Sequence, residues 1–343
     1  MKKITEMKKI VKWRGINFDH TDICNIKNIA VLVTNTCNSN CYHCFRDTTI
    51  TDTNIDLNTI RRLSHYLHDS KVNLFHITGG EPFLINGLDN VFSTYSKLGI
   101  STSVVSNGYY LTPEYLQVLH TSGLNEISLS VHSYSETLHR QLTGTNGGVQ
   151  RLLNAINEAK KLGIAIRINL PLSKYNLSTF KMTIEWLERL NVDRIKILRI
   201  SPFGKASPQS SFLHFTDKEW IDISKEAAEY FSESSVPIKI QRVPLLQNEV
   251  SSGHCTAIPF KHLNIDCFGD VYPCCLLNGI KLFSLGNINR VFEIGWGKAT
   301  QEFTNKLLDM KDLYDSDVLP CLQGQPTNKS SNICPLYSSV VSR

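Results

Sequence analysis

A chain of 343 residues has room for two domains, and 41% hydrophobic with 20% charged residues is the composition of a globular protein, not a disordered or fibrous one. A formal net charge of +5 is too slight and too dispersed to argue by itself for nucleic acid as a partner. The longest aliphatic run, residues 29–33, is far short of the roughly 18 residues of a membrane span, and the basic start leads into no apolar signal core, so the expected location is cytoplasmic.

The chain opens with a basic extension, residues 1–28, in which Lys2, Lys3, Lys8, Lys9, Lys12 and Arg14 face only Glu6 before Asp19. It reads as a solvated terminal helix, or as a patch for an acidic peptide or nucleic acid. Strand-like runs then follow at 29–34, 73–78, 101–106, 126–132, 164–170 and 194–200. Helical periodicity fills the gaps: Ile60, Leu63 and Leu67; Leu116 and Leu119 after Pro113; Leu152, Leu153, Ile156 and Ala159, stopped by Gly163. Strand onsets 25 to 44 residues apart match a β–α unit. Such units predict a parallel α/β sheet with right-handed crossovers, curled into a partial (β/α)6 TIM-like barrel over 29–215, because a closed eight-unit barrel usually takes about 250 residues. A linker with a helix at 216–232 is expected over 216–250. Beyond it, 251–343 reads as a small α+β domain of short strands and cysteines, with a hairpin at 265–274 around Phe268-Gly269-Asp270.

The ten cysteines are unevenly placed: Cys24, Cys37, Cys41 and Cys44 lie near the start, and Cys255, Cys267, Cys274, Cys275, Cys321 and Cys334 in the last quarter. Without an export signal, such clusters point to metal rather than disulfides. Cys37, Cys41 and Cys44 form a C-x3-C-x2-C triplet at the end of the first strand. Structural zinc wants four ligands, usually from two C-x2-C pairs, and no fourth partner is obvious here. An iron–sulfur cluster held by three thiolates would keep one iron open.

Polar groups collect at the ends of the next strands: Thr78-Gly79-Gly80-Glu81-Pro82, then Ser106-Asn107-Gly108, then Ser128, Ser130 and His132. Each alone is a turn or a satisfied polar residue. Together, at the C-terminal face of a parallel barrel, they look like one binding site.

This combination resembles the radical SAM superfamily over roughly residues 29–205. The resemblance implies a 4Fe–4S cluster on Cys37, Cys41 and Cys44 whose open iron is chelated by S-adenosylmethionine. Cleavage of that cofactor then gives a 5′-deoxyadenosyl radical that abstracts a substrate hydrogen. His43 would stack near the adenine. Gly79, Gly80, Glu81 and Pro82 match the element that receives the methionine amino group. Ser106, Asn107 and Ser128 match further cofactor-binding positions, Ser130 stands where the family has Asp, and Asn169 follows on the next strand.

Cys255, Gly269 and Cys274, followed by Leu285-Gly286-Asn287-Ile288, resemble the front of the SPASM auxiliary-cluster signature. With Cys321 and Cys334 they supply four ligands, enough for one auxiliary 4Fe–4S cluster, as in the shortened twitch form; zinc on the same thiolates, or reduced thiols, are the alternatives. Cys267 and Cys275 are spare: buried small hydrophobes, an alternative ligand, or a hydrogen-atom donor. Cys24 reads as structural.

The expectation is therefore an oxygen-sensitive radical SAM enzyme. Its substrate is a ribosomally made peptide, crosslinked, epimerised or oxidised, or alternatively a sugar or other small metabolite. A nucleic-acid-binding iron–sulfur or zinc regulator is the reading from another class. The resemblance implies a flavodoxin- or ferredoxin-type electron donor, and leader recognition, if needed, would come from a separate protein. His76, His132, Tyr134 and Arg199 are the substrate-side candidates, Arg199 as a carboxylate clamp.

Overall fold

The structure is a computed structural model that describes residues 10–13, 16–19, 24–44, 53–200, 204–206, 211–241, 260–310 and 338–340. Strands β1 (Ile10–Trp13) and β2 (Ile16–Asp19) pair antiparallel as a separate hairpin, so the end of the basic stretch is extended chain and not the terminal helix expected there. The six strands expected from the apolar runs are all present: β3 (Cys24–Leu32), β4 (Leu74–Thr78), β5 (Ser101–Ser106), β6 (Glu126–Ser130), β7 (Ala165–Leu172) and β8 (Arg194–Arg199). Each is parallel to the next.

Two more parallel strands extend this set. β9 (Ile238–Gln241) lies outside β8, and β10 (Phe260–Ile265) lies outside β3. β11 (Asp270–Tyr272) and β12 (Gly286–Asn287) continue antiparallel beyond β10, and β13 (Ser338–Val340) beyond β9. The result is one open row, β12-β11-β10-β3-β4-β5-β6-β7-β8-β9-β13. The six-strand barrel thus gains a parallel strand on each side. The cysteine-rich C-terminal segment joins the barrel's own sheet through β10.

Burial along β7 shows why the sheet curls around a lumen. Ile166, Ile168, Leu170 and Leu172 are buried, while Ala165, Arg167, Asn169 and Pro171 alternate with them on the inner face. The buried set packs against helices α1 (Leu57–Leu63), α2 (Leu88–Ser96), α3 (Pro113–Thr121), α4 (Glu136–Thr143), α5 (Gly148–Lys161) and α6 (Phe180–Arg189). Local chemistry sets the helix ends. The Thr112 side chain accepts the Tyr115 N–H at 3.2 Å where α3 starts on proline, and Gly163, at φ +77°, follows the end of α5. Helix α7 (Asp217–Tyr230) opens on a reciprocal Thr216–Glu219 capping box. In the β10–β11 hairpin the Asp266 carboxylate accepts the Phe268 and Asp270 N–H groups, both at 2.9 Å, and Gly269 takes φ +81°. Helices α8 (Asn289–Ile294) and α9 (Trp296–Asp309) complete the described residues. Among these, no helix is long and apolar enough to cross a membrane.

Candidate active site

The loop bearing Cys37, Cys41 and Cys44 leaves the C-terminal end of β3 and is held from both sides. Asn40 N–H donates to the Thr143 carbonyl at 2.8 Å and Tyr42 N–H to the Leu142 carbonyl at 3.2 Å, which fastens one side to the end of α4. On the other side Lys205 N–H donates to the Cys44 carbonyl at 2.9 Å, and the Lys205 ammonium donates to Asn40 Oδ1.

The paired glycines after β4 lie against the chain that leads into this loop. Gly80 N–H donates to the Thr34 carbonyl at 2.8 Å and Glu81 N–H to the Thr36 carbonyl at 2.9 Å. A Cβ on Gly80 would stand 1.8 Å from the Thr36 carbonyl oxygen, so glycine is required there by the protein's own backbone. Glu81 is fully buried and bridges strand ends: Oε1 accepts from Ser106 Oγ at 2.9 Å and from Phe83 N–H at 3.2 Å, and Oε2 accepts from Asn107 N–H at 2.8 Å. The Asn107 amide then reaches the cysteine loop, donating to Asn38 Oδ1 at 2.8 Å and Ser39 Oγ at 3.1 Å.

These elements enclose a cavity of about 290 Å³. Cys37, Cys41, Cys44, His43, Gly79, Gly80, Ser106, Asn107, Ser130, Asn169, His132, Arg199 and Cys275 line it. Glu81 and Pro82 are buried behind its wall. Ser128, buried beneath it, accepts from Arg167 Nε at 3.0 Å. Tyr134 stands apart, its hydroxyl on Met182 Sδ at 3.5 Å and its N–H on Thr183 Oγ1 at 3.3 Å. His76 pairs with Ser103 Oγ at 2.7 Å, outside the cavity lining. The Arg199 guanidinium does clamp a carboxylate, but one of the chain itself: it holds Asp217 at 2.6 Å and also the Phe215 carbonyl. Cys267 is buried and accepts from the Asn35 amide at 3.1 Å, and Cys274 is half-buried against the core. Cys255, Cys321 and Cys334 lie outside the described residues.

Sequence reading did not single out Lys205 or Gln241, and gave His139 no role; all three line the cavity. Nothing local marks Lys205, whose partner Asn40 is 165 positions away.

Burial, with Cys37 and Cys44 close by, pushes the Cys41 thiol up to about 12, and the Lys205 charge works against that rise. A bound cation that stabilises the thiolate therefore has to supply most of the driving force for ionisation. Burial also holds three histidine rings of the cavity wall neutral, His43 and His139 down to about 4 and His132 well below its ordinary value. They form a short column, with His43 and His132 centroids 4.5 Å apart and His132 and His139 5.4 Å apart. Three thiols on one cavity wall are a soft donor set that fits an iron–sulfur cluster with one open position.

The family model described as the radical SAM superfamily matches residues 31–187, and the SPASM iron–sulfur cluster-binding domain matches residues 255–316. A probable GTP 3′,8-cyclase of Metallosphaera sedula is 27% identical over 191 residues, covering 54% of this chain and 60% of that protein. A PqqA peptide cyclase of Ruegeria pomeroyi is 29% identical over 132 residues, 38% of this chain and 35% of that one. The chain thus spans 60% or less of the length of these two relatives. Streptococcus suis SuiB, solved with its precursor peptide SuiA, shares the fold at a TM-score of 0.66 and 17% identity, over 84% of this chain and 65% of SuiB. The two matched domains imply S-adenosylmethionine with a 4Fe–4S cluster in the first and an auxiliary iron–sulfur cluster in the second. Residues 31–187 of this chain are therefore a radical SAM domain, and a SPASM domain follows it at residues 255–316.

Proposed function

We propose that this chain matures a ribosomally made peptide by hydrogen abstraction. Cys37, Cys41 and Cys44 hold the cluster, and His43, Gly79, Gly80, Ser106, Asn107, Ser130 and Asn169 receive S-adenosylmethionine. Glu81, Pro82 and Ser128 brace that wall from behind. When bound, cluster and cofactor supply a 5′-deoxyadenosyl radical. The observation that carries this reading is the convergence of three thiols, the paired glycines and the Ser106–Asn107 turn on one cavity of about 290 Å³, the scale of a small-molecule site.

The barrel spans 29–215 and the auxiliary domain 251–343, with Cys255, Cys274, Cys321 and Cys334 as the auxiliary ligands. Cys275 brings that domain to the cavity wall. A peptide substrate is supported by SuiB, solved with a precursor peptide, and by the relative named PqqA peptide cyclase. A flavodoxin- or ferredoxin-type protein supplies the electron, and a separate protein any leader recognition. The second reading, a small metabolite as substrate, is favoured by the Metallosphaera relative named for GTP cyclisation.

The test is co-expression with the short reading frames beside the gene, followed by intact-mass analysis in light and heavy water. A peptide that loses two hydrogens, or gains a single deuterium, supports maturation and separates crosslinking or oxidation from epimerisation. No altered peptide, with 5′-deoxyadenosine formed only when a metabolite extract is supplied, moves the case to the second reading.

A further inference from the structure

We propose that Lys205 is a positioning residue for the radical SAM cluster, its ammonium latched to Asn40 so that the cluster becomes easier to reduce. The inference rests on the reading that Cys37, Cys41 and Cys44 hold that cluster.

Lys205 sits on the short turn Gly204–Ala206 that follows β8. Its two bonds grip the cysteine loop on either side of Cys41, the backbone N–H at the Cys44 carbonyl and the ammonium at Asn40. The opposing grip, from Thr143 and Leu142, consists of neutral carbonyls. Lys205 also lines the cavity and makes no ion pair among the described residues, so no described carboxylate cancels its charge there. Asn40, which takes the ammonium, is the immediate neighbour of Cys41, and Lys205 and Cys41 line the same cavity.

Reduction adds one negative charge to the cluster. A fixed cation at the cluster's edge interacts more favourably with the reduced state than with the oxidised one, and more strongly in a partly buried site than in water. The same residue is tied to the backbone of the ligand loop, so the charge stays in place. A lysine that only touches the loop while its charge is dissipated in solvent would leave the potential unaltered.

The measurement is an anaerobic redox titration followed by electron paramagnetic resonance. It tracks the signal that changes when S-adenosylmethionine is added, with iron and sulfide counted per chain. Native protein is compared with K205M and K205R, and K205Q serves as a second neutral variant should K205M not fold. The expected result is a midpoint shifted to more negative potential in the neutral variants and restored in K205R. A native midpoint in K205M or K205Q, whatever its iron content, overturns the assignment to Lys205 alone. Native protein with no cofactor-sensitive cluster signal overturns the cluster reading, and this inference with it.

Discussion

The carboxylate of Glu81 accepts the backbone N–H of Asn107 at 2.8 Å, and so joins the loop after β4 to the loop after β5. Because the same fully buried carboxylate also takes the Ser106 hydroxyl, both loops are held in one relative position. Glu81→Ala leaves those buried donors without their acceptor, at a cost of roughly 3 kcal/mol. Glu81→Gln keeps one acceptor oxygen but turns an amide N–H toward a donor, and should cost about half as much. Chemical denaturation of the two variants checks the ranking. Equal stability of native protein and Glu81→Ala would mean the bridge is idle.

Gly80 gives a steric counterpart. Its missing Cβ leaves room for the Thr36 carbonyl, immediately before Cys37, and an alanine there would meet that oxygen at 1.8 Å. One of two backbone segments must move, for a penalty of about 1–3 kcal/mol or more. Gly80→Ala should therefore lose cluster incorporation, read as iron per chain after anaerobic reconstitution, even if it remains folded by circular dichroism. Gly79→Ala is milder: its Cβ would lie 3.0 Å from the Thr34 carbonyl oxygen. A variant Gly80→Ala with a full iron load would show that the contact can relax.

Ligand chemistry explains what was legible before the structure. On the proposed assignment three thiolates reach one cluster from one loop, which is why Cys37, Cys41 and Cys44 stand out by their closeness in sequence. Strands that bury every second residue, such as β7, announce themselves by a local period of two. What stayed hidden depends on partners far apart in the chain. β10 pairs with β3 across more than 200 positions, and Ile238–Gln241 alternates Ile-Lys-Ile-Gln too briefly to stand out as a strand. Ser128 and Glu81 belong to recognisable motifs, yet their bonds to Arg167 and Asn107 place them behind the cavity wall instead of on it. Arg199 ends a barrel strand as expected, but the alternation that buries Ile195 and Ile197 gives it the same parity, and Asp217 at the start of α7 receives its guanidinium.

Acid should destabilise the fold through its neutral histidines. Burial holds His76 down to about 4, with Arg167 and His262 adding to the effect, whereas the unfolded chain protonates near the ordinary value of about 6.5. In that window the unfolded state binds more protons. Stability is thus unaffected by His76 above about pH 6.5 and falls as the pH drops toward 4, by at most about 1.4 kcal/mol per unit. His132 and His139 act in the same direction. Urea midpoints of iron-free protein between about pH 7 and 5 measure the slope without cluster loss. His76→Asn should flatten it, and an unaltered slope would remove His76 from the set.

The two cysteine groups should fail in different ways. Cys37 lines the cavity, and on the proposed assignment Cys37→Ala deprives the radical SAM cluster of a third of its protein ligands. S-adenosylmethionine cleavage should fall below detection, together with the cofactor-sensitive resonance signal. Cys274 is half-buried against the core, beside Cys275, which reaches the cavity wall. On the proposal that it is an auxiliary ligand serving a later step, Cys274→Ala should still cleave S-adenosylmethionine, now without product. Its iron content should drop from about eight atoms per chain toward about four, the difference of one 4Fe–4S cluster. If Cys274→Ala instead keeps all its iron and its product, Cys275 or Cys267 takes over as the candidate ligand. If Cys37→Ala still cleaves the cofactor, the cluster is not where the C-x3-C-x2-C loop puts it.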